Sequence, residues 1–462
     1  MGKLKAFMEV PRLEAGYRPV HDRINDFGEV EQTLNSHDRK MQASRCMDCG
    51  VPFCHWACPL GSKNPEWNDA LCNGEWELAY RRLCATNDFP EFTGRVCPAL
   101  CEKACVLNLT DHAPTTNREN EAAITEAAWR EKYIRPVVPV RNGKRVAVIG
   151  AGPAGLVAAN RLNRMGYTVF VFDKNEAAGG LMRYGIPNFK LGKNIIDRRI
   201  GLLADEGIRF VYNADIDIDL IAQGAQLQED GKMAESKCFD AVVIATGTPQ
   251  ARDLSVAGRE LRGVHLALEL LAQQNRVLAG MEFGKDERVT CKGKDVRVIG
   301  GGDTGSDCIG TAHRQGCKSV TQIEIMPRPI DGPDDPQNPW PNYPRVFKTT
   351  TSHEEGCTRR WNLNTLEFVG KDGHLTGVRV QPIEWKPNPE GGRPIMCEAG
   401  EPEIIKCQAC FLAMGFLKPQ MPEMPSNVVV CGDALNGASL VVRAMASGRD
   451  AATKVDTFLS KD

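Results

Sequence analysis

From residue 144 onward the chain alternates short apolar runs with stretches in which apolar residues recur every three or four positions. That is the pattern of buried strands separated by amphipathic helices. Residues 144–149 (KRVAVI) predict a strand, 150–155 (GAGPAG) a glycine-rich turn, 156–165 a helix and 167–173 (YTVFVFD) a second strand. The same order returns at 295–299, 300–305 (GGGDTG), 306–315 and 319–325, so two units on one plan are expected. Upstream, residues 1–140 show helical spacing at 65–87 and 119–133 and no strand pattern. Residues 135–143 (RPVVPVRNG) predict a linker, because their prolines cannot continue a helix. From 326 to about 401 the chain is rich in Pro, Asn and Gly with scattered apolar alternation, which predicts loops and a small antiparallel sheet. The tail, 428–459, returns to strand, Gly-Asp turn and helix. The expected fold class is α/β, with two Rossmann-like dinucleotide-binding domains behind an α-helical domain at 1–140. The second is inserted in the first, giving 144–285 with 416–462, and 286–415.

Composition removes several functions. The 462 residues are enough for about three domains with sizeable cores. A net charge of -2 leaves no electrostatic footprint for nucleic acid or an anionic membrane. No apolar run is long enough for a signal peptide or a membrane span, and Ala6 stands where a myristoylated Gly2 would need Ser or Thr. A soluble cytoplasmic protein is expected. In a reducing compartment its 18 cysteines are not a disulfide framework, and their clustering suggests metal ligation.

The glycine turns carry the first chemistry. Gly150, Gly152 and Gly155 follow a predicted strand, open a predicted helix and precede Asp173 at the end of the next strand. In that setting the glycines allow a tight turn and close approach to a pyrophosphate, and Asp173 accepts from a ribose hydroxyl. Ala245-Thr246-Gly247 and Cys431-Gly432-Asp433 resemble motifs of flavoproteins with two dinucleotide-binding domains, which favours FAD here. Gly300, Gly302 and Gly305 repeat the fingerprint for a nicotinamide nucleotide. Hydride transfer between the two needs alignment rather than proton chemistry, so no catalytic side chain is expected. Glu324 suits a free ribose 2′-hydroxyl and tilts the site towards NADH, while Arg314 and Arg328 leave a phosphate contact, and NADPH, open.

Ahead of these turns stand Cys46, Cys49, Cys54 and Cys58, then Cys97, Cys101 and Cys105. Zinc is the alternative for so sulfur-rich a set, but seven thiolates do not divide into closed four-cysteine sites. Iron–sulfur clusters fit better beside a flavin, and Cys58-Pro59 and Cys97-Pro98 echo ferredoxin-type endings. An eighth ligand is then missing, and the helix carrying Glu119 and Glu121 follows at once. Cys72 and Cys84 read as packing residues, and Cys407-x2-Cys410 as part of a core strand.

Together these motifs resemble the small subunit of bacterial glutamate synthase and the C-terminal part of the plant NADH-dependent enzyme. The likeness runs through 2–11 (GKLKAFMEVP), 45–59 (RCMDCGVPFCHWACP), 94–107 (GRVCPALCEKACVL), 148–155, 179–191 (GGLMRYGIPNFKL), 300–308 (GGGDTGSDC), 338–347 (NPWPNYPRVF) and 440–449. The resemblance implies two [4Fe–4S] clusters, one FAD and one nicotinamide nucleotide. It places Cys46, Cys49, Cys54 and Cys105 on one cluster and Cys58, Cys97, Cys101 and Glu121 on the other. It gives Lys190 a flavin contact and Ala413-Met414-Gly415 a place near the nicotinamide. Pro153, Ala154, Lys174, Gly180, Leu181, Thr246, Gly247, Gly432 and Asp433 join the flavin set, and Gly301, Asp303 and Thr304 the nicotinamide set. Glu324-Ile325-Met326 replaces the Tyr-Arg-Arg type of many NADPH-using relatives, which favours NADH. The implied function is NAD(P)H oxidation with relay of single electrons to a glutamate synthase large subunit. The same module also serves pyrimidine reductases and bifurcating ferredoxin oxidoreductases, and a zinc-stabilised docking module is the non-enzymatic alternative.

Overall fold

The computed structural model of the chain describes residues 5–461. Two parallel five-stranded sheets dominate it. The first runs Val428–Val430, Ala241–Ile244, Arg145–Ile149, Thr168–Phe172, Arg209–Val211. Its central strands are almost unbroken runs of Val, Ile, Ala and Phe because both faces are covered, and only Arg145 and Thr168 at the strand starts are half-buried. Helices Pro153–Arg164 and Val441–Leu459 pack on one face, close enough that a Cβ on Gly448 would collide with the Ala154 carbonyl.

The second sheet runs Thr358–Arg360, Ser319–Ile323, Asp295–Ile299, Ala409–Leu412, Val264–Leu266. Its edge strand Val264–Leu266 and the helix Ala267–Leu278 come before residue 286, so the chain enters this unit earlier than the expected boundary. The edge strand is only three residues long, too short for its apolar pattern to register. Between the second sheet's strands the chain makes the expected antiparallel excursion, in which Leu363–Lys371 pairs with His374–Lys386. Asp372 and Gly373, both at positive φ, form the turn between them. Glu403–Lys406 and Ile395–Glu398 complete that sheet.

The N-terminal region is helical among the described residues, apart from isolated bridges. The stretch expected as one helix at 65–87 is two, Asn64–Cys72 and Trp76–Cys84, broken where Gly74 takes φ 79°. Trp67, Leu71, Leu83 and Ile124 form its core. No described helix is long and apolar enough to cross a membrane.

Candidate redox centre

The seven cysteines divide between two cavities. Cys46, Cys49, Cys54 and Cys105 line one, together with Phe53 and Asn64. Cys58, Cys97, Cys101 and Glu121 line another. The partition follows from helix geometry. The short helix Phe53–Ala57 ends at Cys58, which is extended, so Cys54 and Cys58 face different cavities. Likewise Cys97 caps Pro90–Val96, whereas Cys105 lies past the end of Leu100–Lys103 and turns to the other group. In each group the thiols stand around the walls of a shared space.

Burial pushes the Cys46, Cys54 and Cys97 thiols up to about 12 and raises Cys101 well above the usual thiol range, so thiolates here require a compensating positive charge, which iron would supply. Burial likewise lifts Glu121 to about 7, and its Oε2 accepts from Thr93 Oγ1 at 2.9 Å. Buried Asn64 lines the first cavity beside Cys54, and its side-chain hydrogen bond favours the charged form of that thiol. Sequence reasoning missed it, because one asparagine near a proline carries no signal until its cavity exists.

The two glycine turns are built alike. Gly150 takes φ 103°, its N–H donates to Phe172 O at 2.7 Å, and a Cβ would strike the Ala245 carbonyl. Gly300 takes φ 119°, its N–H donates to Ile323 O at 2.8 Å, and a Cβ would strike the Ala413 carbonyl. Gly152 and Gly302 each precede a helix, Pro153–Arg164 and Asp303–Arg314, whose free N–H groups and dipole suit a pyrophosphate. Asp173 Oδ2 accepts from Ala151 N at 2.8 Å, and Glu324 Oε2 accepts from Gly301 N in the same relation.

Around the first turn the chain brings Gly180, which a Cβ would press onto Gly152, and Gly432, which a Cβ would press onto Ala154. Leu181 and Asp433 open the short helices Leu181–Tyr184 and Asp433–Asn436, and Thr246 and Gly247 lie on a loop beside these positions, with Leu181 and Thr246 exposed. Lys174 is exposed as well. Buried Thr248 has an unpartnered hydroxyl two residues beyond Thr246, a further polar group unnoticed in the sequence. Around the second turn, Gly301, Gly302, Asp303 and Gly415 are exposed, Thr304 is half-buried and Ala413 buried. Lys190 reaches across to pair with Asp307 on the nicotinamide-side helix. Arg314, left open as a phosphate contact, is not available for one: its side chain is buried and held bidentately by Glu355. Arg328 is held by Asp331. Cys407 and Cys410 are core residues.

Comparison with known proteins agrees with these two halves. The family described as dihydropyrimidine dehydrogenase domain II, 4Fe-4S cluster, matches residues 23–133, and pyridine nucleotide-disulphide oxidoreductase matches residues 144–338. Mycobacterium tuberculosis glutamate synthase [NADPH] small chain is 42% identical, over 96% of this chain and 93% of its own. The Bacillus subtilis small chain is 38% identical over 99% of both. Schizosaccharomyces pombe glutamate synthase [NADH] is 38% identical over all of this chain, which spans 23% of that longer protein. Among solved structures, Mycobacterium tuberculosis FprA in complex with NADPH superposes with TM-score 0.51 at 16% identity, covering 69% of this chain and 85% of that one, a likeness of fold. With such identity along nearly its whole length, the chain belongs to the glutamate synthase small-chain family.

Proposed function

We propose that this chain is the electron-input subunit of a glutamate synthase, with FAD on the first glycine turn, NADH on the second and one [4Fe–4S] cluster in each cysteine-lined cavity. The observation that carries it is the division of seven cysteines and Glu121 into two groups of four, the second walled by Val442 from the flavin unit's own helix. Bound there, FAD takes a hydride from NADH and releases single electrons, and the clusters conduct them.

The protein's part is placement. Cys58 and Cys97 pack into the same core as the first sheet, so their cavity is the inner one. The cavity of Cys46, Cys49, Cys54 and Cys105 opens on the segment that exposes Val51 and Trp56. Cys58, Cys97, Cys101 and Glu121 would thus hold the cluster nearer the flavin unit, and Cys46, Cys49, Cys54 and Cys105 the outer one, which would supply the exit towards a large chain that forms glutamate from 2-oxoglutarate and glutamine. Gly300 and Gly302 hold the nicotinamide pyrophosphate, and Glu324 takes the ribose 2′-hydroxyl. With Arg314 and Arg328 both paired to carboxylates, no free guanidinium among these groups remains for a 2′-phosphate. The nicotinamide unit is residues 264–415, set into a flavin unit of 144–263 and 416–461.

Iron and flavin analysis with EPR of the dithionite-reduced protein tests this directly. About eight irons, one FAD and NADH-dependent reduction of a dye are expected, with glutamate formed only when the large chain is added. Zinc without iron would end the relay. Cys58→Ser should remove the inner cluster and stop dye reduction through the outer one, while flavin reduction by NADH continues.

A further inference from the structure

The flavin and nicotinamide units meet along one face of the helix Asp303–Arg314, which begins at the nicotinamide turn. Asp307 on that face pairs with Lys190 of the flavin unit. One turn on, Gly310 lacks a side chain where a Cβ would lie 2.7 Å from the Phe189 ring. Another turn on, the Arg314 guanidinium lies 3.8 Å from the centroid of that ring. A flavin-unit loop is thus seated on the nicotinamide unit's phosphate-binding helix. The two units also touch at the helix Ala267–Leu278, where Asn275 Nδ2 donates to Ile186 O at 3.0 Å and Arg276 pairs with Glu176.

A third connection comes from far away in sequence. The N-terminal segment around residues 17–31 closes on itself through a bridge between Tyr17 and Glu31 and lies across both units. On the flavin side, Val30 N donates to Phe189 O at 3.0 Å and Asn188 Nδ2 donates to Phe27 O at 2.8 Å. There too, Glu29 Oε1 accepts from Gly192 N at 2.8 Å. On the nicotinamide side, Arg23 donates through Nε to Glu355 Oε1 at 2.9 Å and through Nη2 to Thr351 O at 2.8 Å. The Glu355 carboxylate also receives Arg314 at 2.6 and 3.0 Å, so one buried carboxylate lies between two buried guanidiniums, with side chains exposed 0%, 3% and 0%. Glu354 Oε2, 3.0 Å from Arg23 Nη2, supplies a second carboxylate, and a buried group of charges of this kind is costly to desolvate. Its plausible return is registry rather than stability.

We propose that Arg23 is a positioning residue for hydride transfer: through Glu355 and Arg314 it clamps the nicotinamide unit onto Phe189 of the flavin unit, fixing the relative orientation of the two glycine turns. This rests on the reading of those turns as flavin and nicotinamide sites. Hydride transfer demands reacting atoms about 3–3.5 Å apart and aligned, and an error near 1 Å can cost about a hundredfold in rate. A clamp remote from the nucleotide therefore acts on rate and leaves affinity alone.

The test is anaerobic stopped-flow reduction of the holoenzyme by NADH, monitored by flavin bleaching. Arg23→Met should bleach about ten- to a hundredfold more slowly at saturating NADH, with half-saturation moved by less than about twofold. Arg23→Lys should recover most of the rate. FAD content, iron content and the EPR of dithionite-reduced protein should match the parent. Should Arg23→Met fail to retain FAD, Glu29→Ala, which removes one of the segment's three flavin-side hydrogen bonds, should show the same separation of rate from affinity to a smaller extent. Bleaching at the parent rate in an FAD-replete Arg23→Met protein overturns the proposal, as does loss of FAD from both variants, which would make the segment a folding element only. A parent protein that binds no FAD or is not bleached by either nicotinamide nucleotide would instead strike the assignment of the two turns.

Discussion

The two dinucleotide units share a plan and differ in closure. In each, a glycine at positive φ presses against the carbonyl of an Ala, and an acid at the end of the second strand accepts from the turn's backbone. Around the first turn, Asp173 is buried and holds Asn175 as well as Ala151, and Gly180 and Gly432 fold over the turn. Around the second, Gly301 and Gly302 are exposed, Glu324 is half-buried, and Gly415 borders it in the open. On the proposed assignment, the same local geometry would serve a resident group in one unit and an exchangeable one in the other. What separates them is how many additional loops the tertiary fold brings over the turn.

The largest way to break this comparison is at the first glycine of each turn. Gly150→Ala introduces both a strained φ and a collision with backbone, at about 3 kcal/mol or more, and in the closed site it should yield protein without FAD and with a lowered Tm. Gly300→Ala meets the same local penalty in the open site and should keep its FAD, as read by absorbance, while losing reduction by NADH. FAD loss from both would erase the distinction between resident and exchangeable sites.

Exchange of the acids should give an intermediate effect. Glu324→Arg should raise KM for NADH about tenfold, roughly 1.4 kcal/mol, and lower it for NADPH, with flavin content unchanged. Asp173→Asn, at the closed turn, should leave both nicotinamide KM values alone and weaken FAD retention. Steady-state titration with each nucleotide distinguishes the two.

The smallest effect concerns a support that the open unit has in place of covering loops. His353 Nδ1 accepts from Thr350 N at 3.1 Å and its Nε2 lies 3.0 Å from Gln322 Oε1, while Gln322 Nε2 donates to Gly300 O at 2.9 Å. Burial, with Arg359 and Lys190 nearby, lowers this imidazole to about 4. The unfolded chain binds the proton near 6.5 and the folded chain only near 4, so stability is complete above pH 6.5 and declines as pH falls towards 4. Between pH 7 and 5.5 the loss should be on the order of 1 kcal/mol, seen as a fall in Tm that His353→Gln flattens.

Much of the fold was legible because its signals are local. The strands Arg145–Ile149 and Asp295–Ile299 are continuous apolar runs, and each is followed by a turn only glycine can make. Where the reading slipped, the signal was short or masked. Val264–Leu266 is too brief to register, Gly74 interrupts a spacing that otherwise looks continuous, and Arg314 stands where a phosphate ligand could stand while Glu355 takes it. Cysteine spacing alone left seven thiolates and one vacancy, and the interleaved assignment came from family resemblance. Asn64, Thr248 and His353 gave no sequence signal, since an unpartnered or supporting polar group is defined by what surrounds it.

The sequence by itself determined the repeated glycine turns, their acids and the sulfur-rich segment, because backbone permissiveness, strand periodicity and ligand type reside in neighbours a few residues apart. Tertiary structure alone decided that Val442 walls the inner cavity and that Arg23 meets Glu355 across 332 residues. These pairings depend on how helices and sheets pack, and packing is a property of the whole folded core that no short window of sequence contains.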